Sequence, residues 1–424
     1  MQTDVFERRE SQVRSYCRNF PVVFARAEGS HMFDSDGRRY IDFLAGCSTL
    51  NYGHNDPDMQ DALIEHIRGG GIAHGLDMYT VEKARFLEAF EDIILKPRGL
   101  DYKVMMTGPT GTNAVEAAMK LARKVTGRRN IVSFTNGFHG MTMGALSLTG
   151  NAGKRAGAGS GPLCGATHMP FDRALGADVD TLAHLEIMFS NSSSGVDAPA
   201  AFIFEPVQGE GGLNAASIEW MQGVARLAGK LGALLIVDDI QSGCGRTGTY
   251  FAFEEAGIEP DLVTQAKSLS GFGLPFAALL VKPEHDIWKP AEHNGTFRGN
   301  THAFVTGRVT LEKFWKDDAF AAEVRRKGAH LHERLSRIAA LVPGAELRGR
   351  GMMQGIDVGT GDIAGRICST AFDKGLIIET SGADDEVVKF LGPLTTPDEV
   401  LDEGLDILEA AVKGVMNENK EAAE

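Results

Sequence analysis

Two short apolar runs that stop in ionisable side chains constrain this chain more than any other feature. Leu234-Leu235-Ile236-Val237 has the branched, wholly apolar character of a strand buried on both faces, and it ends at Asp238 and Asp239. Leu262-Val263 leads in the same way to Lys267, ahead of a loop rich in serine and glycine, Ser268 to Gly273. Ligands of open α/β sheets bind beyond the carboxyl ends of the strands. An acid and a lysine at neighbouring strand ends, with the Gln241–Gly248 loop between them, therefore predict a site for imine chemistry with Lys267 as the nucleophilic amine.

Other junctions repeat the theme. Val104–Met106 enters a Gly/Thr turn that opens a helix at Asn113–Arg123, and such a helix start suits a phosphate, an ordinary capped helix being the alternative. Asn130–Phe134 stops before Phe138-His139-Gly140, which can face a planar ligand or simply pack. Ala201–Phe204 ends at Glu205-Pro206-Val207-Gln208-Gly209-Glu210, and a helix over 218–231 joins it to the opening strand, the alternation of a parallel sheet. Phe276–Val281 is a further expected strand.

Before these lie a hairpin at Asp36-Gly37, a helix over 56–68 stopped by three glycines, and a second helix from Thr80 to Ile94. Residues 151–165, rich in Gly, Ala and Ser, read as a mobile loop. Past Val305 come amphipathic helices, one over 319–341, strands at 351–358 and 387–391, a helix over 397–416 and a frayed 417–424 tail. The expected division is an N-terminal segment, 1–55, joining a small α+β domain, a large domain over 56–305, and the C-terminal small domain over 306–424.

The chain has 424 residues and a net charge of −14, which argues against general affinity for nucleic acid or anionic membranes. Its five cysteines, 17, 47, 164, 244 and 368, show no CxxC spacing and read as free thiols without a metal site. With no apolar leader and no run of membrane-spanning length, the cytoplasm is the expected compartment.

In their order, Gly111-Thr112, Phe138-His139-Gly140, Glu205 to Glu210, Asp238 to Gly248 and Lys267 resemble the class III, or ω-amino acid, aminotransferases of pyridoxal phosphate fold-type I. The resemblance implies an α/β large domain with a mainly parallel sheet and a smaller α+β domain formed by the chain ends. It also implies pyridoxal 5′-phosphate as cofactor. Lys267 would hold it covalently and shuttle a proton, Asp238 would pair with the pyridine nitrogen, and Gln241 would bond near the phenolic oxygen. Phe138 and Ile240 would cover the ring faces, with His139 and Glu205 beside them. Gly111 and Thr112 would bind the phosphate, completed by Thr296 of a neighbouring subunit, so a homodimer or a dimer of dimers is implied. Asp239 stands where the family often has Glu.

Cys244, Arg298 in His293–Asn300, and Lys389–Leu394 narrow the resemblance to members that pass the amino group of glutamate to aspartate 4-semialdehyde, giving 2,4-diaminobutyrate for ectoine synthesis. Lys389 occupies the position of a carboxylate-binding arginine in ornithine-type relatives, keeping the charge without the bidentate fork. Glu210 would be its partner and gate; a solvated lysine is the alternative. Ornithine, acetylornithine or 4-aminobutyrate transamination, an aminomutase and a non-catalytic cofactor-binding regulator are the competing functions.

Overall fold

The computed structural model describes residues 3–159, 163 and 165–423. Cys164, the remainder of the 151–165 segment at 160–162, and Met1, Gln2 and Glu424 lie outside the described residues. A seven-stranded sheet organises the first part of the chain. Its spatial order is Lys103–Met106, Ala278–Val281, Leu262–Gln265, Leu234–Asp238, Pro199–Phe204, Asn130–Phe134 and Ala166–Met169. All neighbours are parallel except Ala278–Val281, which runs antiparallel to both of its own.

The apolar runs are continuous because both sheet faces are covered. Leu235 and Val237 enter one core with Phe202, Phe204, Trp220 and Phe251, while Leu234 and Ile236 enter the other beneath the Gly111–Thr126 helix. Asp238 and Thr264 are register partners where the Leu234–Asp238 and Leu262–Gln265 strands end side by side. Their parallel pairing therefore brings the acid at one strand end beside the loop that carries Lys267.

Two smaller four-stranded sheets hold the chain ends. In one, the Phe24–Glu28, His31–Asp34 and Arg39–Asp42 meander pairs in parallel with Leu376–Ile377, tying the first residues to the last third of the chain. The other is antiparallel, in the order Glu346–Arg350, Met353–Asp357, Val387–Phe390, Glu379–Ser381. Ile41 and Phe43 share a core with the Ala319–Ala339, Gly361–Asp373 and Asp398–Ala423 helices.

Four expectations change. The 151–165 segment contains a short helix, Ala152–Ala156, capped by the Asn151 side chain, which accepts from Lys154 N at 2.9 Å. Residues 417–423 continue the last helix, held by Arg366, whose guanidinium donates to Glu418 at 2.7 Å and to Asn419. The Thr301–Phe314 helix runs through the expected break at 305 and packs on the Pro57–Arg68 and Val81–Phe90 helices. Finally, Phe276 and Ala277 precede their strand, which begins at Ala278. Among the described residues no helix is long and apolar enough to cross a membrane.

Candidate active site

Gly111, Thr112, Phe138, His139, Glu205, Glu210, Asp238, Ile240, Gln241 and Lys267 all line one cavity of about 390 Å³ at the carboxyl edge of the large sheet. Asp238 is held from three sides. Its Oδ1 accepts from Thr264 Oγ1 at 2.9 Å and Ile240 N at 3.3 Å, and its Oδ2 lies 2.7 Å from His139 Nδ1. Burial alone would push His139 down, but the hydrogen bond and charge of Asp238 outweigh it and hold the imidazole above its ordinary value. Glu205 accepts from Phe138 N at 2.8 Å and Gly209 N at 3.1 Å, and burial raises it to about 7.

Lys267 takes φ +48°, a left-handed backbone that strains a non-glycine residue at the cavity wall. The Gly111–Thr126 helix points its start into the same cavity, with Asn113 Oδ1 accepting from Thr110 Oγ1 at 2.8 Å. Gly111 leaves room for Ile240: a Cβ there would lie 2.9 Å from Ile240 Cδ1. Thr112 Oγ1 is 2.7 Å from Thr142 Oγ1, so its hydroxyl is oriented within a threonine pair.

These residues fit pyridoxal phosphate. An acid lies at one part of the wall, a helix start at another, and a lysine between strand ends. Gln241 Oε1 and His139 Nε2 are buried without a hydrogen-bond partner among the described residues, polar capacity that a bound heterocycle can use. Asp239, by contrast, accepts from Ser242 Oγ at 2.8 Å and Ala252 N at 3.2 Å and does not line the cavity. It braces the loop, and burial lifts it to about 8.

Lys389 does not line the cavity and is fully buried, with Glu210 Oε1 at 3.1 Å and Glu379 Oε1 at 2.9 Å. It is therefore not a solvated lysine. Burial would strip its charge, but the two carboxylates outweigh that and hold it protonated. Gln241 Nε2 bridges the group, donating to Glu210 Oε1 and to Cys47 O, both at 3.3 Å. Tyr16 Oη and Cys47 Sγ lie 2.9 Å apart nearby.

Thr296 is exposed and does not line this cavity. Cys244 is buried behind it, its thiol 3.8 Å from Gln265 Oε1, and Arg298 bonds Asn294 and His293 O beside a second cavity. Sequence reasoning missed Thr264 and Glu379. Thr264 and Glu379 are recognisable only through register, opposite Asp238 and Lys389 respectively.

A helix start, a buried acid relay and a strained lysine gathered at the edge of a largely parallel sheet define an α/β enzyme built to work on amines. The chain belongs to the aminotransferase class III family, whose model matches residues 13–412. It is 57% identical over 417 residues to the diaminobutyrate–2-oxoglutarate transaminase of Halomonas elongata, covering 97% of this chain and 99% of that protein. The protein of the same name from Nocardia farcinica is 55% identical, covering 98% of this chain and 95% of its own. Among solved structures, the ornithine aminotransferase of Toxoplasma gondii, with partial occupancy of PLP at its active site, superposes with a TM-score of 0.84 at 27% identity, covering 98% of this chain and 95% of that one.

Proposed function

We propose that this protein transfers the amino group of L-glutamate to L-aspartate 4-semialdehyde, producing 2-oxoglutarate and L-2,4-diaminobutyrate, the first step of ectoine synthesis, with pyridoxal phosphate as cofactor. The observation that carries the chemistry is the shared cavity of Lys267, Asp238 and the Gly111 helix start; the substrate pair rests on the diaminobutyrate transaminases that it resembles over nearly their whole length. When bound, the cofactor supplies an electron sink that eases ionisation of the C–H bond beside the amine. Asp238, fixed by Thr264 and His139, holds a proton at the pyridine nitrogen. Lys267 Nζ would take the proton from the substrate's amine-bearing carbon and deliver it to the cofactor's aldehyde carbon, C4′. Gly111 and Thr112 bind the phosphate, Phe138 and Ile240 cover the ring, Gln241 bonds the phenolic oxygen, and Glu205 fixes the Phe138 turn.

The two substrates make opposite demands. Glutamate carries a carboxylate on the reacting carbon, whereas C4 of diaminobutyrate carries none. Lys389 meets the first, and Glu210 neutralises it for the second.

Thr296, exposed in its own protomer, would complete the phosphate site of a second copy, in a homodimer or a dimer of dimers. Its neighbour Phe297 and Met78 are exposed and line one cavity, which supports that reading. The same reading keeps residues 1–55 with the C-terminal lobe but moves the later boundary from 305 to the end of the Thr301–Phe314 helix. It sets the reaction in the cytoplasm, with Cys17, Cys47, Cys244 and Cys368 as free thiols.

The test offers purified holoenzyme glutamate with aspartate semialdehyde, and separately 2-oxoglutarate with diaminobutyrate, ornithine, acetylornithine and 4-aminobutyrate. The expected outcome is a clear preference for diaminobutyrate. Faster turnover of ornithine would overturn the substrate assignment.

A further inference from the structure

Lys154 bears an ammonium group to which the chemistry above gives no task. It sits on the short Ala152–Ala156 helix with Nζ 4.6 Å from the centroid of the Phe138 ring. Among the described residues that nitrogen makes neither an ion pair nor a hydrogen bond; the Lys154 bond to Asn151 comes from its backbone. It faces a polar cavity of about 370 Å³, which Asn151, Glu210, Ser381 and Asp385 also line. Asp385 forms no ion pair with it among the described residues. Glu210 is common to this cavity and the main one.

The backbone around Glu210 is pinned. Gly209 N donates to Glu205 Oε2 at 3.1 Å, Gly212 N to Ser381 Oγ at 3.2 Å, and Gly382 N to Glu210 O at 3.2 Å. The side chain is the part that can leave Lys389, and Gln241 Nε2, which also donates to Glu210 Oε1 at 3.3 Å, then keeps Cys47 O. If it does, Lys389 keeps Glu379, its cross-strand neighbour at 2.9 Å, and is not stranded. The departing carboxylate needs a cation of its own, because a part-buried, unpaired charge is costly. Burial opposes ionisation of Glu210, yet where it stands Lys389, then Lys267 and Lys154, pull it down to about 2, so it is a carboxylate when it pairs with Lys389.

We propose that Lys154 is the second docking partner of Glu210. When the α-carboxylate of a dicarboxylate reaches Lys389, Glu210 turns into the smaller cavity and pairs with Lys154; when the diamine enters, it returns to Lys389. Lys154 is thus a positioning residue that sets how readily the site opens to glutamate. This rests on Lys389 and Glu210 forming the carboxylate gate.

A ligand's apparent affinity falls with the population of the state that accepts it, and a part-exposed ion pair biases such an equilibrium about 2- to 5-fold. The test titrates holoenzyme with glutarate, a dicarboxylate with no amine to react, and measures binding by calorimetry. Lys154→Met, which keeps an apolar stem over Phe138, is expected to weaken glutarate about 2- to 5-fold and to raise the ratio of KM for glutamate to KM for diaminobutyrate equally, with kcat little altered. Lys154→Arg is expected to restore both. Unchanged glutarate affinity in Lys154→Met, or equal loss for both substrates, would overturn the proposal. Lys389→Gln separates the layers. If it abolishes glutarate binding while Lys154→Met has no effect, the gate stands and the second dock falls. If it leaves glutarate binding intact, the gate itself is wrong.

Discussion

Asp238 shows how much a single acid depends on its neighbours. Thr264, Ile240 N and His139 occupy it on three sides, so its orientation is fixed before any ligand arrives. Asp238→Asn keeps the shape but loses the charge, and is expected to retain cofactor while turnover drops about 10²- to 10³-fold; near-normal turnover would contradict a role at the ring nitrogen. Lys267→Ala is expected to lose both transamination and the cofactor's lysine-dependent absorbance band, checked by spectra of the purified protein. Glu205 makes a pH prediction. Its carboxyl rises from 4.5 to about 7 on folding, so the folded protein holds a proton that the unfolded chain releases. Stability from this group is therefore full below pH 4.5 and is lost as pH rises through about 7. The whole effect is roughly 3 kcal/mol. Chemical denaturation across that window is expected to show the decline in the parent protein and a flatter profile in Glu205→Gln.

At the level of elements, the turn after Pro199–Phe204 carries Glu210, and it is seated by contact rather than by flexibility. A Cβ on Gly211 would lie 2.0 Å from the carbonyl oxygen of Asn136, in the turn that presents Phe138 and His139. Gly211→Ala must push the two turns apart, and is expected to cost about 1–3 kcal/mol by denaturation and to raise KM for glutamate. Such elements were readable where an apolar run meets polar residues abruptly, which is why Asp238, Glu205 and Phe138 could be placed from sequence. Ala166–Met169 and Glu346–Arg350 were not readable: Ala-Thr-His-Met and Glu-Leu-Arg-Gly-Arg lack the apolar signal, and pairing alone makes them strands. Glu379 was hidden for the same reason. Its partnership with Lys389 exists through the register of two short strands.

For the whole molecule, the decisive contacts join segments far apart in the chain. Arg246 has no solvent exposure, yet no carboxylate pairs with it among the described residues, and burial lowers it to about 9. Its guanidinium instead donates to Ser48 Oγ at 3.1 Å, Met352 O at 3.2 Å, Gly392 O at 2.6 Å and the Asn51 side chain. One side chain thereby fastens the N-terminal segment and two stretches of the C-terminal lobe to the loop that follows Asp238. Sequence inspection saw an arginine in a glycine-rich loop and had no means of knowing these acceptors. Arg246→Met roughly preserves volume but leaves the Met352 and Gly392 carbonyls without their donor, while Asn51 Oδ1 keeps the Ser48 hydroxyl at 2.9 Å. At about 1–2 kcal/mol for each buried acceptor left unpaired, the loss is roughly 2–4 kcal/mol. Urea denaturation followed by far-UV signal and by cofactor absorbance is expected to show that loss, with cofactor released before the helices melt because the clamp spans the cavity's supports. A variant within about 1 kcal/mol of the parent, with both signals still coincident, would mean that the lobes are held by their apolar core and not by this arginine.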